Sequence, residues 1–206
     1  MIVNPEIERY MEGLLPPRDA VLAEMEAAAA KRNIPIVGPA VARVLAQLVM
    51  ISGAKRIFEL GSAIGYSTIW LARAAGLGAE VHYADGSAAN AREAGGYFER
   101  AGVASAIHVH VGDALTSLSQ TSGEFDFIFN DVDKEGYPAV LAAVPPRLKR
   151  GGIFVTDNTL WHECVLDPRE ASDRAVAEFD WKLYDSTQFF TTLLPIRDGV
   201  TVSVKL

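Results

Sequence analysis

Apolar residues before Gly53 recur at the spacing of helices. The segment Pro16 to Asp19 is a helix start signal, and one apolar face follows it: Val21, Leu22, Met25, Ala28 and Ala29. The stretch from Ile34 to Pro39 interrupts this pattern. A further predicted helix follows, with its apolar face at Val41, Val44, Leu45, Leu48 and Val49. Residues 1–52 are therefore expected to form a helical N-terminal extension.

From Arg56 onward, short apolar runs alternate with helical segments. The predicted strands are Arg56–Leu60, Glu80–Asp85, Ile107–Val111, Phe125–Asp131 and Gly152–Thr156. The helices predicted between them include Ser67–Ala75, Ala88–Ala101 and Tyr137–Leu148. Alternation of this kind predicts an α/β fold, with a mostly parallel sheet and helices on both of its faces.

The end of the chain has a different pattern. Two β-rich runs, Phe189–Leu194 and Val200–Lys205, flank an Asp198-Gly199 pair, which indicates a hairpin and an antiparallel last strand. No internal repeat, low-complexity tract or linker-like stretch divides the sequence. Residues 53–206 are thus expected to form an α/β core, and residues 1–206 a single domain.

Composition places the chain among globular proteins. Half of its 206 residues are hydrophobic, 22% are charged, and the formal net charge is −7. No apolar run reaches the roughly 18 residues of a membrane span, and Met1–Tyr10 lacks the apolar core of a signal peptide. The lone Cys164 fits a reducing cytoplasm. The acidic balance and the lack of an extended basic cluster disfavour nucleic-acid substrates.

A glycine-containing loop, Glu59 to Ser67, joins the first predicted strand to its helix. Gly61 and Gly65 allow the backbone to turn tightly and to approach a ligand closely. Such loops lie beyond the carboxyl ends of the strands, where open α/β sheets bind ligands. Asp85 ends the next strand, and its carboxylate could accept hydrogen bonds from both hydroxyls of a ribose. These features favour a nucleoside ligand; a tight turn with no ligand is the alternative.

The loop departs from the fingerprint of dinucleotide-binding proteins. G-x-G-x-x-G requires glycine or a small residue where Ala63 and Tyr66 stand. A bulky Tyr66 would crowd the close contact between helix and strand. The order Glu59, Gly61, Ala63, Gly65 resembles instead the loop of methyltransferases that use S-adenosylmethionine, which has no pyrophosphate to bind.

Asp113 follows the third predicted strand, in the sequence Gly112-Asp113-Ala114. An acid at this strand end can accept a hydrogen bond from an adenine amino group. Its alternative role is that of N-cap for a helix over Ala114–Leu118, and the spacing alone favours the cap.

Oxygen-bearing side chains follow two further strands. Asp131 ends the fourth predicted strand, and Asp157-Asn158 follows the fifth. Sequential strands are usually neighbours, so these residues should share the edge of the sheet with the glycine loop. Two carboxylates and one amide oxygen suit Mg²⁺ or a similar hard cation. Lys134, one turn past Asp131, could then take a proton from a hydroxyl held on the metal. The alternative is a solvated capping loop and an ordinary turn.

The histidines give a weaker signal. His108 and His110 share one strand face and could form a paired metal site, but a polar strand face is the favoured interpretation, and His82 has the same one. His162 could line the site. Trp161 could form a wall of a substrate pocket, although packing is the favoured role.

Taken together, the motifs resemble the cation-dependent O-methyltransferase family of catechol and caffeoyl-CoA O-methyltransferases, from about Ile36 to the end. The matching segments, in order, are Glu59–Thr68, Gly112–Ala114, Phe129–Tyr137, Gly151–Trp161 and Leu194–Gly199. The third resembles the family's F-x-D-A-D-K-x-x-Y, the fourth its G-G…D-N-x-L-W, and the fifth its closing P-x-x-D-G.

The resemblance implies a Rossmann-like methyltransferase fold, S-adenosylmethionine as cofactor, and Mg²⁺ or another divalent cation such as Mn²⁺ or Ca²⁺. It implies Asp131, Asp157 and Asn158 as metal ligands and Lys134 as the base, with Asp131 also part of the catalytic group. Besides Asp113, the implied cofactor residues are Val37, Glu59, Gly61, Ser62, Ser67, Asp85, Ala114 and Asp133. A homodimer is implied as well.

The chain departs from the family pattern at the expected ribose contact and beside the expected substrate site. Asp85 stands where the family usually has glutamate, and His162-Glu163-Cys164 replaces a stretch that usually contains glycine. Three functions stay open. They are methylation of a small catechol-like or otherwise hydroxylated molecule, methylation of a hydroxylated uridine in tRNA, and non-catalytic nucleoside binding. Lys134 and the complete oxygen set argue against the last.

Overall fold

Residues 4–206 are described by a computed structural model. Their eight α-helices are α1 (Pro5–Gly13), α2 (Ala20–Arg32), α3 (Gly38–Ser52), α4 (Tyr66–Ala75), α5 (Ala88–Arg100), α6 (Ala114–Gln120), α7 (Tyr137–Ala143) and α8 (Ala171–Asp185). The seven strands are β1 (Arg56–Leu60), β2 (Glu80–Asp85), β3 (Ile107–Val111), β4 (Phe125–Asn130), β5 (Leu148–Asp157), β6 (Phe189–Leu194) and β7 (Val200–Lys205).

The strands form one sheet in the order β3-β2-β1-β4-β5-β7-β6. The first five are parallel, whereas β7 pairs antiparallel with both β5 and β6. The predicted α/β class, the mostly parallel sheet and the antiparallel C-terminal hairpin are therefore confirmed. The direction of connection reverses between β1 and β4, and open α/β sheets bind ligands at such a point.

Both faces of the sheet are covered. One hydrophobic cluster joins α2 to α5 with one face, through residues such as Leu45, Ile69 and Tyr83. A second joins α6 to α8 with the other face, through residues such as Phe58 and Phe179. Because the central strands are buried on both sides, they are continuous apolar runs and not alternating ones.

Several predicted boundaries were wrong. The helix expected over Tyr137–Leu148 ends at Ala143, because Pro145 and Pro146 lack the N–H groups that a continuing helix needs. A 3₁₀ turn, Pro145–Arg147, follows, and β5 begins at Leu148 and not at Gly152. Strand β4 ends at Asn130, which leaves Asp131 in the loop beyond it.

The N-terminal region is helical, as predicted, but its details differ. Helix α1 was not predicted as a separate element. The start signal lies just ahead of α2, where Asp19 is the N-cap and accepts hydrogen bonds from the N–H groups of Val21 and Leu22 at 3.0 and 3.2 Å. Among the helices of residues 4–206, none is long and apolar enough to cross a membrane.

Candidate active site at the carboxyl edge of the sheet

An open cavity of about 1220 Å³ runs along the carboxyl ends of the parallel strands. Most of the residues predicted from the sequence line it together: Gly61, Asp85, Asp113, Ala114, Asp131, Asp133, Lys134, Asp157 and Asn158. The structure thus gathers the glycine loop, the oxygen-bearing side chains and the lysine around one space.

Four predicted cofactor residues do not line the cavity: Val37, Glu59, Ser62 and Ser67. All four are buried, and Glu59 is fully so. Val37 immediately precedes α3, while the other three surround the loop between β1 and α4.

Glu59 is a buried acid with one unsatisfied oxygen. Its Oε2 accepts a hydrogen bond from the Thr68 hydroxyl, whereas its Oε1 has no partner. Burial raises the pKa of Glu59 to about 7, although the hydroxyls of Ser67, Thr68 and Ser62 oppose the shift. A buried carboxylate oxygen without a donor is costly. An ammonium or other donor on a bound ligand would satisfy it, so the residues present fit an amino-acid-bearing nucleoside.

Asp85 organises the neighbouring loops. Its Oδ2 accepts a hydrogen bond from the Ala63 N–H at 2.9 Å, and its Oδ1 accepts from the Ser87 N–H at 2.8 Å and the Asn90 amide at 3.1 Å. A carboxylate has about four lone-pair sites, so the contacts leave Oδ2 with capacity for a ligand hydroxyl. The shorter aspartate therefore fixes the glycine loop as well as facing the cavity.

Asp113 is the N-cap of α6, the role that the spacing favoured. Its Oδ1 accepts a hydrogen bond from the Thr116 N–H at 2.7 Å. Hydrogen bonding with the side chain of Thr116, and next with its main chain, lowers the pKa of Asp113. The residue also lines the cavity, as does Ala114 beside it. Asp113 therefore caps α6 and lines the cavity at the same time.

The two candidate metal-binding carboxylates come from adjacent strands. Asn130 pairs with Thr156 in the ladder of β4 and β5, and each is followed directly by an aspartate. Burial, together with the charge of Asp131, raises the pKa of Asp157 to about 7. Burial also raises the pKa of Asp131, against the effect of Lys134. Two crowded, desolvated carboxylates favour either a proton or a cation between them.

Asp157 and Asn158 are fixed firmly. The Oδ1 of Asp157 is buried without a partner, while the main-chain carbonyl of Asp157 accepts a hydrogen bond from the Tyr137 hydroxyl at 2.6 Å. Asn158 adopts a left-handed conformation with φ of 55°. The N–H groups of Thr159 and Leu160 donate to the hairpin loop, at 3.1 and 2.8 Å. Such a donor set, with one unsatisfied buried carboxylate oxygen, fits a hard divalent cation.

The amine of Lys134 lies beside the candidate metal ligands. Its Nζ lies 3.0 Å from Asp131 Oδ1, and only 9% of its side chain is exposed. The rings of Tyr137 and Trp161 flank the ammonium at 5.0 and 5.5 Å. The aromatic flanks and the ion pair restrict where the amine can move, which keeps it beside the candidate metal ligands.

The loop after Asn158 is strained. Trp161, His162 and Glu163 are three successive residues with positive φ, at 42°, 54° and 69°. The His162 N–H donates to Asp198 Oδ1 at 2.6 Å, and the indole N–H of Trp161 donates to Asp173 at 3.1 Å. Trp161 therefore both packs and lines the cavity, and His162 lines it too. Such strain is concentrated at functional sites.

Arg197 is a site residue that the sequence reasoning missed. Its guanidinium donates to the carbonyls of Ile36, at 3.2 Å, and Val37. Burial raises the pKa of Asp131 and Asp157, and the positive charge of Arg197 opposes part of that rise. The position of Arg197 within the Pro195–Gly199 motif was the available signal in the sequence. The carbonyls that it contacts, however, belong to residues far away along the chain.

The other histidines form no metal site. The rings of His82, His108 and His110 stack, with centroids 5.0 and 5.1 Å from that of His82. His82 Nδ1 lies 2.8 Å from His110 Nε2, and His82 Nε2 lies 2.7 Å from Glu80 Oε1, so both nitrogens of His82 are already engaged in hydrogen bonds. Within residues 4–206, no three His, Cys, Asp or Glu side chains are arranged to hold a metal ion. His108 is exposed, as expected of a polar strand face, whereas His82 is buried against Phe58 and Phe125, so that interpretation was wrong for His82.

The sheet order and the loop at its switch point define the class of protein: an α/β protein with a Rossmann-like sheet of the methyltransferase type. The sequence profile of the O-methyltransferase family matches residues 17–206. The chain belongs to this family and is an O-methyltransferase.

Individual relatives support this assignment. The chain is similar to the catechol O-methyltransferase of Mycobacterium tuberculosis, with 31% identity across 84% of this chain and 80% of that protein. A catechol O-methyltransferase of Niastella koreensis is 30% identical across 96% of both chains. The solved O-methyltransferase of Bacillus cereus in complex with SAH is 30% identical, covers 98% of this chain and 97% of its own, and superposes with a TM-score of 0.89.

Proposed function

We propose that this chain transfers a methyl group from S-adenosylmethionine to a hydroxyl of a small catechol-like substrate, with the help of a divalent cation, and that it acts as a homodimer. The proposal rests mainly on one observation: the glycine loop, the half-buried Asp131, the buried Asp157, Asn158 and Lys134 all line one cavity. A non-catalytic nucleoside-binding domain would need neither the carboxylate pair nor the lysine.

The cofactor assignment rests on this chain's own unsatisfied groups. Two observations support it: Glu59 Oε1 is a buried acceptor without a partner, which the amino group of S-adenosylmethionine could satisfy, and Asp85 and Asp113 line the cavity that could receive its ribose and adenine. The SAH of the Bacillus cereus relative is the demethylated form of this cofactor. When bound, S-adenosylmethionine supplies an electrophilic methyl group.

Asp131, Asp157 and Asn158 would hold the cation. When bound, a divalent cation supplies positive charge that favours ionisation of a nearby hydroxyl. Asp157 contributes a buried oxygen without a hydrogen-bond partner, and Asp131 contributes the carboxylate that Lys134 contacts. Neutralising this pair of crowded carboxylates would also stabilise the site.

Lys134 is the group that we assign to proton removal. Only in its neutral form could this amine, whose Nζ lies 3.0 Å from Asp131 Oδ1, take the proton of a substrate hydroxyl at the same edge. The charge of a bound cation would favour that neutral form. The partly buried ring of Trp161 forms one wall of the cavity, where an aromatic substrate could stack.

The experiment is a methyl-transfer screen with S-adenosylmethionine labelled in its methyl group. Purified protein is offered catechols, hydroxylated cinnamoyl-CoA esters and bulk tRNA, each with Mg²⁺. We expect label on the catechols first. Label on tRNA alone would replace the proposed substrate by a hydroxylated nucleoside, and label on none of the three would contradict the proposed substrate class.

A further inference from the structure

Arg197 lies in the turn between β6 and β7, and its side chain reaches across to the chain just before α3. Its Nη1 donates to the main-chain carbonyls of Ile36, at 3.2 Å, and Val37. A Cβ on the following Gly38 would clash with this same nitrogen. Arg197 itself has a strained φ of 50°. Two acceptors and a close glycine therefore hold one edge of the guanidinium in a fixed position.

The other edge of the guanidinium is free. Among the described residues, none accepts a hydrogen bond from Nε or Nη2 of Arg197, and none of their carboxylates forms an ion pair with it. The neighbouring Asp198 is engaged by His162 instead, whose N–H donates to Oδ1 at 2.6 Å and whose Nδ1 lies 3.5 Å from Oδ2. An arginine with one edge fixed and the other unpaired is suited to bidentate binding of a carboxylate.

This arginine lies near the candidate cation ligands. Arg197 lines the same cavity as Asp131 and Asp157. Burial raises the pKa of both carboxyl groups, and the positive charge of Arg197 opposes part of that rise, so the guanidinium is within electrostatic reach of them. An aromatic ring with its hydroxyls at these carboxylates would extend its other substituents into the same cavity. Apolar side chains that suit such a ring also line it: Ile34, Pro35, Ile36 and Trp161.

The charges along the cavity make Arg197 a selective contact. In the part of the chain that the structure describes, Lys134 and Arg197 are the two lysine or arginine side chains that line this cavity. Lys134 is only 9% exposed and is paired with Asp131. Acids such as Asp133 and Glu135 line the cavity too and would repel a negative substituent. A negative group on the substrate would therefore be stabilised chiefly beside Arg197.

We propose that Arg197 selects acidic catechols, in which the ring that bears the two adjacent hydroxyls also bears a carboxylate. The N–H groups of Nε and Nη2 would donate to the two carboxylate oxygens, while Nη1 stays on the carbonyls of Ile36 and Val37. This inference rests on the proposed function, because it concerns the substrate of the same cavity. It adds the charge of that substrate and the residue that recognises it.

Three matched catechols test the charge of the substrate. A dihydroxybenzoate with adjacent hydroxyls, the corresponding amide and the corresponding benzylamine are negative, neutral and positive at neutral pH. Each is assayed for kcat/KM with S-adenosylmethionine and Mg²⁺. We expect the acid to be preferred over the amide by about tenfold or more, the scale of a charge-assisted hydrogen bond, with the amine poorest. Equal kcat/KM for all three would overturn the inference and leave the proposed function in place. Transfer to none of them would contradict the proposed function itself.

Variants of Arg197 separate recognition of charge from support of the loop. Arg197→Gln keeps a donor for the two carbonyls but loses the charge, and it should bring the preference for acid over amide close to one. Arg197→Lys should restore part of that preference. Arg150→Gln is the control, because it removes an exposed charge near the start of β5, at the opposite edge of the sheet, and should leave the preference unchanged. Intrinsic differences in hydroxyl acidity cancel when the same ratio is compared between variants.

Binding is measured separately from turnover. Protein saturated with S-adenosylhomocysteine and Mg²⁺ is titrated with the acid and with the amide in a calorimeter. Arg197→Gln should raise the Kd of the acid by about tenfold or more and leave that of the amide unchanged. If Arg197→Gln weakens the acid and the amide equally, in Kd and in kcat/KM, then Arg197 only supports the loop and the inference is wrong.

Discussion

The backbone of Gly61 lies directly against that of Asp131. A Cβ at position 61 would come within 2.5 Å of the Asp131 carbonyl oxygen, and the Asp131 N–H donates to the Leu60 carbonyl at 2.8 Å. The loop assigned to the nucleoside and the loop assigned to the cation are therefore in main-chain contact. This contact is the physical reason for expecting the two ligands to share one cavity.

Replacing Gly61 by alanine should disturb both sites at once. The φ of 81° costs an alanine about 1–2 kcal/mol, and the clash with Asp131 must also be relieved. We expect weaker binding of S-adenosylhomocysteine and of Mg²⁺, measured by calorimetry. Gly78→Ala is the control, because φ there is 76° but no atom lies within 4 Å of the added Cβ. Equal binding losses in both variants would show that backbone strain alone is responsible.

Asp85→Ala tests the ribose assignment. The variant should lose about 1–3 kcal/mol of cofactor affinity, the scale for removing a charged hydrogen-bonding partner, with cation affinity unchanged. Because Asp85 also holds the loops, Ser87→Ala serves as the control: it removes a helix cap beside Asp85 but no proposed ligand contact. Calorimetric titration with S-adenosylhomocysteine measures both. Unchanged affinity in Asp85→Ala would mean that the ribose is bound elsewhere.

His82 should make the fold sensitive to acid. Burial lowers the pKa of His82 to about 4, against the opposing effect of Glu80, whereas an unfolded histidine has a pKa of about 6.5. The neutral ring is favoured in the fold, so the stabilisation is complete above pH 6.5 and is lost as pH falls toward 4. The loss is at most on the order of 3 kcal/mol.

Urea unfolding between pH 7 and pH 4 measures this effect. The ring lies between Glu80 Oε1, at 2.7 Å, and His110 Nε2, at 2.8 Å. His82→Gln keeps a polar side chain that does not titrate, and it should flatten the pH dependence of the free energy of unfolding. An equally steep dependence in the variant would assign the acid sensitivity to other groups.

Much of the fold could be predicted because its signals are local. Strands such as β1 and β2 are short apolar runs bounded by turn residues, and the Asp198-Gly199 pair marks the hairpin before β7. Asp131 and Asp157 could be placed together because sequential parallel strands lie side by side. The helix predicted over Tyr137–Leu148 was too long, although Pro145 marks where it must end.

The remaining features depend on contacts distant in sequence. Arg197 reaches the carbonyls of Ile36 and Val37 from the opposite end of the chain, and no local pattern encodes that contact. Glu59 in β1 is buried and accepts a hydrogen bond from the Thr68 hydroxyl of α4, and no local pattern announced either its burial or its unsatisfied oxygen. Helix α1 is short, and none of its residues is buried, so the spacing of its apolar residues does not correspond to a packed face.

Lys134→Ala should reduce turnover by roughly 10²–10⁴, the usual contribution of a general base, with cofactor binding intact. The loss should shrink as the assay pH rises, because the substrate hydroxyl then ionises unaided. Lys134→Arg is the matched control, since it keeps the positive charge beside Asp131 but cannot accept a proton. Near wild-type turnover in Lys134→Arg would show that charge and not proton transfer is required.

The central claim is that one cavity holds both a methyl donor and a catalytic cation. Binding of S-adenosylmethionine should survive removal of divalent cations, because Glu59 and Asp85 are distinct from Asp131, Asp157 and Asn158. The direct measurement is transfer of labelled methyl to catechol, before and after chelation, with cofactor binding followed in the same samples. We predict that chelation abolishes transfer, leaves cofactor binding in place, and is reversed by added Mg²⁺. Full transfer in the presence of chelator would contradict the account.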